Sequence, residues 1–212
     1  MWTNYGFKIM DDRLSHWNKL LEEWCKCLEK FCNYSDTVPS LNKEETHVGI
    51  LAGAAWKIGW VGFQEMFRNR NNRTSFDDVC DLYLCDFYGI VEDYIECKKI
   101  RVNTCNKVLE KLDEACKDAR SLVLDDTSEK SRRIGVVFAD FEFCGLSDRE
   151  IEKNIMITFK NVSTIQCGAM AWGFPKVTRF YRDKNLDTGL EIISPGTVLL
   201  AKFIGNKTII EQ

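Results

Sequence analysis

Apolar residues in the first part of the chain recur at steps of three and four, which is the pattern of an amphipathic helix. The stripe predicts a helix from about residue 11 to 33 and consists of Leu14, Trp17, Leu21, Trp24, Leu28 and Phe31. Asp11 or Asp12 can cap the N-terminus of this helix. A second helix is expected over about 44–68. Its middle is dense in glycine, alanine and tryptophan, which indicates close packing against a neighbouring element.

The pattern changes to that of strands beyond residue 78. Runs at 79–87 and 90–100 are rich in β-branched and aromatic residues and flank Tyr88-Gly89, which predicts a β-hairpin with a two-residue turn. The remaining elements are expected to be a helix at 103–123, a buried strand at 134–143, a short helix at 147–154 capped by Ser147, and strand-like runs at 164–172 and 190–204, the last broken by Ser194-Pro195-Gly196. This order predicts an α/β or α+β domain.

The composition of the 212-residue chain is that of a soluble globular protein, with 45% hydrophobic and 29% charged residues. No window is long and apolar enough to cross a bilayer. The first residues do not have the basic start and apolar stretch of a secretory signal. We therefore expect a cytoplasmic protein that does not engage a membrane.

The ten cysteines do not have the spacing of a zinc site, because no CxxC pair occurs and only two histidines are present. Disulfide frameworks are typical of small secreted chains, and this chain has neither that size nor a signal. The cysteines are therefore expected to be free thiols that fill the core in a reducing cytosol.

The predicted hairpin brings acidic side chains into register. With Tyr88-Gly89 as the turn, counting back along both strands places Asp81 opposite Glu96. Side chains alternate along a strand, so Lys98 is expected on the same face as Glu96, one step further on. A shifted turn would give the place of Asp81 to Asp86.

Such a cluster has a recognisable chemistry. Two carboxylates directly opposite one another repel unless a cation lies between them. Mg²⁺ prefers carboxylate and water oxygens. A lysine beside them could orient or activate an attacking water, or stabilise charge that develops on a phosphate. The hairpin therefore predicts that Asp81 and Glu96 hold Mg²⁺ (or Mn²⁺) and that Lys98 acts with them.

The segment D-L-Y-L, followed after a short gap by Y-I-E-C-K-K, resembles the restriction-endonuclease-like, or PD-(D/E)xK, nuclease superfamily. In that family an acid on one strand and an E-x-K on the next hold one or two divalent metals, and the enzymes cut phosphodiester bonds in DNA or, less often, RNA. The motif's acid matches Asp81, its glutamate Glu96 and its lysine Lys98. The resemblance implies in-line attack of water on phosphorus. It also implies a mixed central sheet flanked by helices.

The resemblance covers roughly residues 45–143 and has two departures. No proline precedes Asp81. Only about ten residues separate the expected second helix from the Asp81 strand, so one of the family's usual three meander strands is expected to be missing, short or displaced. Some members carry a further acid on the preceding helix. Glu65 is the candidate here, and Glu44 or Glu45 is less well placed.

Three regions follow from these expectations. Residues 1–43 form a helical N-terminal extension, 44–145 the nuclease-like core, and 146–212 a C-terminal helix and β-rich extension that packs on the same domain. The tryptophan-rich helices are expected to belong to the core, and they could instead form a homodimer or partner-protein interface.

The net charge of −3 argues against a protein that grips nucleic acid with its whole surface. Phosphate contacts would instead come from local basic clusters. The candidates for nucleic-acid binding are Arg70, Arg73, Lys99, Arg101, Lys176, Arg179 and Arg182. For each of them a solvated surface role is the competing interpretation.

The sequence thus predicts a metal-dependent endonuclease that hydrolyses nucleic acid, with DNA favoured and a role in defence against foreign DNA compatible with the resemblance. The alternative is a non-catalytic interaction or nucleic-acid-binding subunit with a degenerate nuclease fold. The residues do not distinguish DNA from RNA, or single from double strands.

Overall fold

The computed structural model describes residues 4–35, 38–67, 79–102, 105–122, 130–174, 181–184 and 189–205. Within them the α-helices are α1 (Asn18–Tyr34), α2 (Glu44–Lys57), α3 (Cys105–Ser121) and α4 (Asp148–Val162), with short 3₁₀-helices at Asp12–Trp17 and Pro39–Leu41. The strands are β1 (Tyr5–Ile9), β2 (Val61–Phe67), β3 (Val79–Cys85), β4 (Glu92–Val102), β5 (Ser131–Cys144), β6 (Ala169–Gly173), β7 (Tyr181–Lys184) and β8 (Glu191–Phe203). The class is α+β.

All the described strands belong to one mixed sheet. Its order is β1-β6-β8-β5-β4-β3-β2, and β7 pairs with β8 outside this path. Strands β2, β3 and β4 form an antiparallel meander. Strand β4 then pairs in parallel with β5 over eleven residues, Glu92–Val102. Strand β1 pairs with β6, so the segment before α1 contributes to the same sheet as the C-terminal strands.

Helices cover both faces of the sheet, because successive side chains of each strand point to opposite sides. One core joins α1 and α2 to side chains such as Leu82, Ile95 and Phe138. The other joins α3 and α4 to side chains such as Val137, Phe141 and Leu200. A strand covered on both faces reads as a continuous apolar run. Strand β5 is such a strand, since the residues from Ile134 to Phe141 are all buried.

The expected first helix is confirmed as a 3₁₀-helix that continues into α1. Asp11 caps the 3₁₀-helix through a 3.0 Å bond from the Arg13 backbone N–H. Trp17 and Trp24 are fully buried, as the stripe predicted. None of the helices in the described part of the chain is long and apolar enough to cross a membrane.

The prediction of a single helix over 44–68 is wrong beyond residue 57. Helix α2 ends where Gly59 adopts a left-handed conformation, with φ of 83°, and the chain re-enters the sheet as β2. Glycine accepts this conformation without a Cβ penalty, which is why it commonly follows a helix end. The residues on both sides of this boundary are mainly apolar, so periodicity could not mark the change from helix to strand. The meander strand that was expected to be missing, short or displaced is therefore present as β2.

Two expectations for the C-terminal region are also corrected. Helix α4 begins with the expected cap, a capping box of Ser147 and Glu150, but continues to Val162 rather than ending near 154. The tripeptide at 194–196 does not break the last strand. One extra residue of β8 is accommodated opposite Phe141–Phe143, so the tripeptide forms a bulge. Bulges are among the few places in a sheet where proline is tolerated.

A buried carboxylate fastens the N-terminal 3₁₀-helix to the sheet. Asp93 on β4 is fully buried and pairs with Arg132 of β5 at 2.7 Å. It also accepts a 2.8 Å bond from Trp17 Nε1 and lies 2.9 Å from His16 Nε2. The ring of His16 stacks on Trp60, with centroids 5.7 Å apart. Asp93 on β4 thus links the N-terminal 3₁₀-helix to β5, and His16 extends the network to Trp60.

Replacing Asp93 with alanine should lower the free energy of unfolding by about 3–5 kcal/mol, because Arg132 would be left largely buried without its counter-charge. Urea unfolding followed by circular dichroism measures this loss. The exposed Glu152 of α4 provides the control, and Glu152→Ala should change stability by no more than about 0.5 kcal/mol. Equal effects of the two substitutions would contradict the assigned role of Asp93.

Candidate active site

The register of the β3–β4 hairpin agrees with the prediction, although the turn is wider. Leu82 pairs with Ile95, and continuing this register by one residue sets Asp81 opposite Glu96. The turn spans residues 87–90. Asp86 closes it, since its Oδ1 accepts the N–H groups of Ile90 at 2.7 Å and Val91 at 3.1 Å. Asp86 therefore belongs to the turn, not to the acidic cluster.

Strands β3 and β4 separate at the position of the cluster. Their pairing ends at Leu82 and Ile95, whereas β4 continues alongside β5 to Val102. Beyond Ile95 the β3-side edge of β4 is therefore not covered by β3. Alternate backbone N–H groups of β4 point to this edge and need acceptors.

A carboxylate supplies one of those acceptors, since the N–H of Cys97 donates to Asp81 Oδ2 at 2.7 Å. Glu44 lies near the N–H of Lys99, two residues further along, which favours the charged form of its carboxylate. Glu44 is the first residue of α2, which lies over one face of the sheet. The open edge of β4 thus draws together an acid from β3 and an acid from a helix.

Glu96 completes the acidic cluster and is nearly buried, with 7% of its surface exposed. Burial first, then the charge of Asp81 and a hydrogen bond between the two carboxyl groups, raise the pKa of Glu96 to about 8. Burial and the charge of Asp81 also raise the pKa of Glu44. Among the described residues no lysine or arginine forms an ion pair with Glu96. Within the part of the chain that the structure describes, the cluster therefore holds more carboxyl groups than basic groups that pair with them.

Lys98 lies beside this cluster and pairs with a residue of α3. Its Nζ is 2.8 Å from Asp118 Oδ2. Burial alone would lower the pKa of Lys98. The hydrogen bond and charge of Asp118, and then the charges of Asp81 and Glu44, outweigh burial and raise that pKa. Lys98 is therefore an ammonium ion at neutral pH.

A glycine allows α3 to come this close. Gly135 on β5 pairs with Glu96 and lies under Cys116 of α3. A Cβ at Gly135 would be 2.7 Å from the Cys116 backbone nitrogen, closer than real contacts allow. The small residue thus sets the height of α3 above the sheet next to Glu96, and Asp118 follows on the same helix.

A second polar network, centred on Lys99, stabilises the start of α2. The ammonium of Lys99 donates to the backbone oxygens of Ser40, at 2.6 Å, and Asn42. It also pairs at 3.4 Å with the fully buried Asp140, which contacts His47 Nε2 at 3.1 Å. These contacts hold the segment that precedes Glu44 and the first turn of α2 against the sheet.

Comparisons with known proteins give no family for this chain. The chain matches no family model, no curated protein and no solved structure. The chemistry of the site therefore follows from its own side chains.

These side chains fit a divalent ion of the magnesium type. Within the described residues no group of three or more histidine, cysteine, aspartate or glutamate side chains is arranged to hold a metal alone. Mg²⁺ does not require such a cage, because it keeps several waters and is commonly bound through one or two carboxylates together with substrate phosphates. Asp81 and Glu96, which face each other in the hairpin register, are two carboxyl groups of this type. Glu44 is a further acidic oxygen donor nearby.

The other predicted site residues have different surroundings. Glu65 is on β2 rather than on a helix, so its expected helical placement is wrong; the β2–β3 register sets it opposite Asp81, but it is exposed, with φ of 51°. Lys99 is engaged internally as described above. Arg101 pairs with Glu142 at 3.4 Å. Arg182 pairs with Asp148 and Glu191. Arg70, Arg73, Lys176 and Arg179 lie outside the described residues.

Sequence reasoning underrated Glu44 and did not select Asp118. The sequence favours Glu65 over Glu44 because the predicted second helix runs to about residue 68 and so includes Glu65. The helix ends at Lys57, which leaves Glu44 on it and places Glu65 on β2. A signal for Glu44 was available, since acids are favoured in the first turn of a helix near its dipole. For Asp118, one of several acids on α3, the chain offers no such local signal.

The acidic cluster should destabilise the metal-free protein in a pH-dependent way. The pKa of Glu96 is raised from about 4.5 to about 8 on folding, so the folded state binds more protons between these values and stability falls as pH rises through them. Glu96→Gln removes this penalty. We expect the variant to match wild type at acidic pH and to be more stable above pH 8 by about 2–4 kcal/mol.

Thermal unfolding of both proteins in chelator across the pH range measures this difference. Glu29→Gln, at an exposed position of α1, should leave the pH dependence unchanged. A constant difference between Glu96→Gln and wild type at every pH would show that Glu96 does not carry the shifted pKa.

Proposed function

We propose that this protein is a divalent-metal-dependent nuclease with a restriction-endonuclease-like core that hydrolyses phosphodiester bonds in nucleic acid, with DNA favoured. The observation that carries the proposal is the convergence of Asp81, Glu96, Glu44 and Lys98 at the open edge of β4. The cluster combines excess negative charge with one ammonium ion, which is the composition expected of a site for a divalent cation and a phosphate.

The order of elements supports the same proposal. Helix α2 is followed by the meander β2–β3–β4, then by α3 and by β5, which is parallel to β4. This is the order that the resemblance implies, now with all three meander strands. Glu44 also falls on the helix before the meander, where some family members have a further acid.

The roles of the residues follow from their contacts. Asp81 and Glu96 would hold Mg²⁺ or Mn²⁺, and Glu44 adds a carboxyl group whose pKa responds to the charges of Asp81 and Lys98. The bound ion would supply a water of lowered pKa and neutralise phosphate charge. The N–H of Cys97 fixes the orientation of the Asp81 carboxylate by donating to its Oδ2. The ammonium of Lys98 can orient the attacking water or stabilise the negative charge that grows on the phosphate oxygens.

Electrostatics make a cation a requirement for substrate binding at this site. Glu44, Asp81, Glu96 and Asp118 surround one Lys98. A phosphodiester carries a negative charge and would be repelled by this group of carboxylates. Metal ions would reverse the sign of the local field.

The cellular setting that we propose is the cytoplasm. The cysteines that the structure describes are free, as a reducing compartment would require. A cytoplasmic enzyme acting in defence against foreign DNA fits this chemistry. A homodimer or a partner protein would enlarge the grip of an acidic enzyme on its substrate.

The alternative function is a non-catalytic binding subunit. Trp17 and Trp24 are fully buried and so are not part of an exposed interface. Trp56 and Phe63 favour this alternative, since both are about half exposed and contact each other edge to face at 6.1 Å. In this case the acidic cluster would not catalyse hydrolysis.

Lys98→Ala and Glu96→Gln should each abolish cleavage while leaving the fold intact. The first removes the ammonium that acts on the reacting groups, and the second removes a metal oxygen. A loss of about 100-fold or more in rate is expected. The assay follows end-labelled DNA and RNA, single- and double-stranded, with purified protein in Mg²⁺, in Mn²⁺ and in chelator.

Lys19→Ala and Glu29→Gln, both at exposed positions of α1 on the opposite side of the core from α3, are the matched controls and should cut like wild type. Wild-type rates in either site variant would show that the site is wrongly assigned. Wild-type protein that cuts none of the four substrates would favour the binding subunit.

A further inference from the structure

Lys98 has several carboxylates within electrostatic range. Its ion pair is formed with Asp118, which lies outside the acidic cluster of Asp81, Glu96 and Glu44. Asp81, Glu44 and Asp118 all contribute to the field at its ammonium. The 2.8 Å contact is made with Asp118. This ion pair therefore ties the lysine ammonium to α3.

This ion pair differs from the surface pairs of the same protein. Lys26–Glu22 and Lys111–Glu114 each join neighbouring turns of one helix. Lys98–Asp118 joins a central strand to a helix, and the lysine side chain is only 24% exposed. Surface pairs contribute little to stability. A pair that spans two rigid elements beside a reactive cluster can instead fix the position of a functional group.

The helix that carries Asp118 is firmly seated. Its apolar face packs on the sheet through Leu112, Ala115 and Ala119, all fully buried. The contact of Cys116 over Gly135 places α3 directly beside Glu96. The carboxylate of Asp118 is thus presented to Lys98 by packed secondary structure, not by a loop.

Without Asp118, the nearest acceptors for the Lys98 ammonium would be the carboxylates of the cluster. An ammonium bound to Glu96 or Asp81 would occupy the oxygens that a divalent ion needs. The same movement would take the ammonium out of reach of a phosphate above the cluster. The two positively charged groups would then compete rather than act together.

We propose that Asp118 is a positioning residue that keeps the Lys98 ammonium on the α3 side of the Asp81–Glu96 pair, so that a divalent ion and the lysine occupy the site together. This inference rests on the proposed nuclease function and adds a residue to it. It makes Asp118 act through Lys98, without contact with the metal or the substrate.

Binding of Mn²⁺, followed by the electron paramagnetic resonance signal of the free ion, tests the proposal without catalysis. Asp118→Asn should weaken Mn²⁺ binding about tenfold. The substitution also removes a negative charge near the site, so it is repeated in a Lys98→Met background. Positioning predicts that the loss disappears there, whereas a simple charge effect predicts the same loss in both backgrounds.

Asp113→Asn is the matched control, because Asp113 is an exposed aspartate on the same helix that pairs with Lys202 at 3.7 Å. It should leave Mn²⁺ binding unchanged. Asp118→Glu, which keeps the carboxylate, should restore most of the affinity. All variants should unfold at the wild-type temperature, since Asp118 is 41% exposed.

Cleavage assays then measure the consequence. Asp118→Asn should lower kcat by about 10- to 100-fold and raise the Mg²⁺ concentration for half-maximal rate, with KM for nucleic acid unchanged. Full activity of this variant, or equal weakening of Mn²⁺ binding with and without Lys98, would overturn the role of Asp118 and leave the nuclease proposal standing. Wild-type protein that neither binds Mn²⁺ nor cuts would overturn both.

Discussion

The candidate site depends on the length of strand β4, which continues beyond the last residue that pairs with β3. Backbone N–H groups on a strand edge must find acceptors, and here the carboxylate of Asp81 accepts the N–H of Cys97 in place of a neighbouring strand. The unpaired edge of β4 thus orients Asp81, and Glu44 lies near the next N–H along this edge. Beyond Ile95 this edge of a central strand is not paired with β3, whereas its other edge stays paired with β5 to Val102.

The energetic consequence of this arrangement is a cluster that opposes folding. Glu96 lies nearly buried against Asp81, and the protein does not offer it a lysine or arginine among the described residues. Such a penalty persists only where the surrounding structure is strong enough to impose it. The double-sided core and the parallel β4–β5 pairing provide that strength. A divalent cation would turn the same repulsion into binding energy.

Helices on opposite faces of the sheet supply the residues around this edge. Helix α2 brings Glu44, and its first turn is fastened by Lys99, Asp140 and His47. Helix α3 brings Asp118, at a height set by Gly135. Lys98 and Lys99 are neighbours in sequence but point to opposite faces and so do different work. Lys98 lies beside the acidic cluster, and Lys99 stabilises the segment before α2.

Local pattern in the sequence determined the hairpin register, because a strand repeat of two and a short turn leave few ways to pair residues. The sequence pattern is therefore sufficient to place Asp81, Glu96 and Lys98 together. The end of α2 could not be predicted from the sequence in this way. The mainly apolar run of α2 continues into β2, and only the conformation of Gly59 marks the boundary. Glu44 and Asp118 joined the site only through tertiary packing, because contacts between elements distant in the chain depend on how helices seat on the sheet.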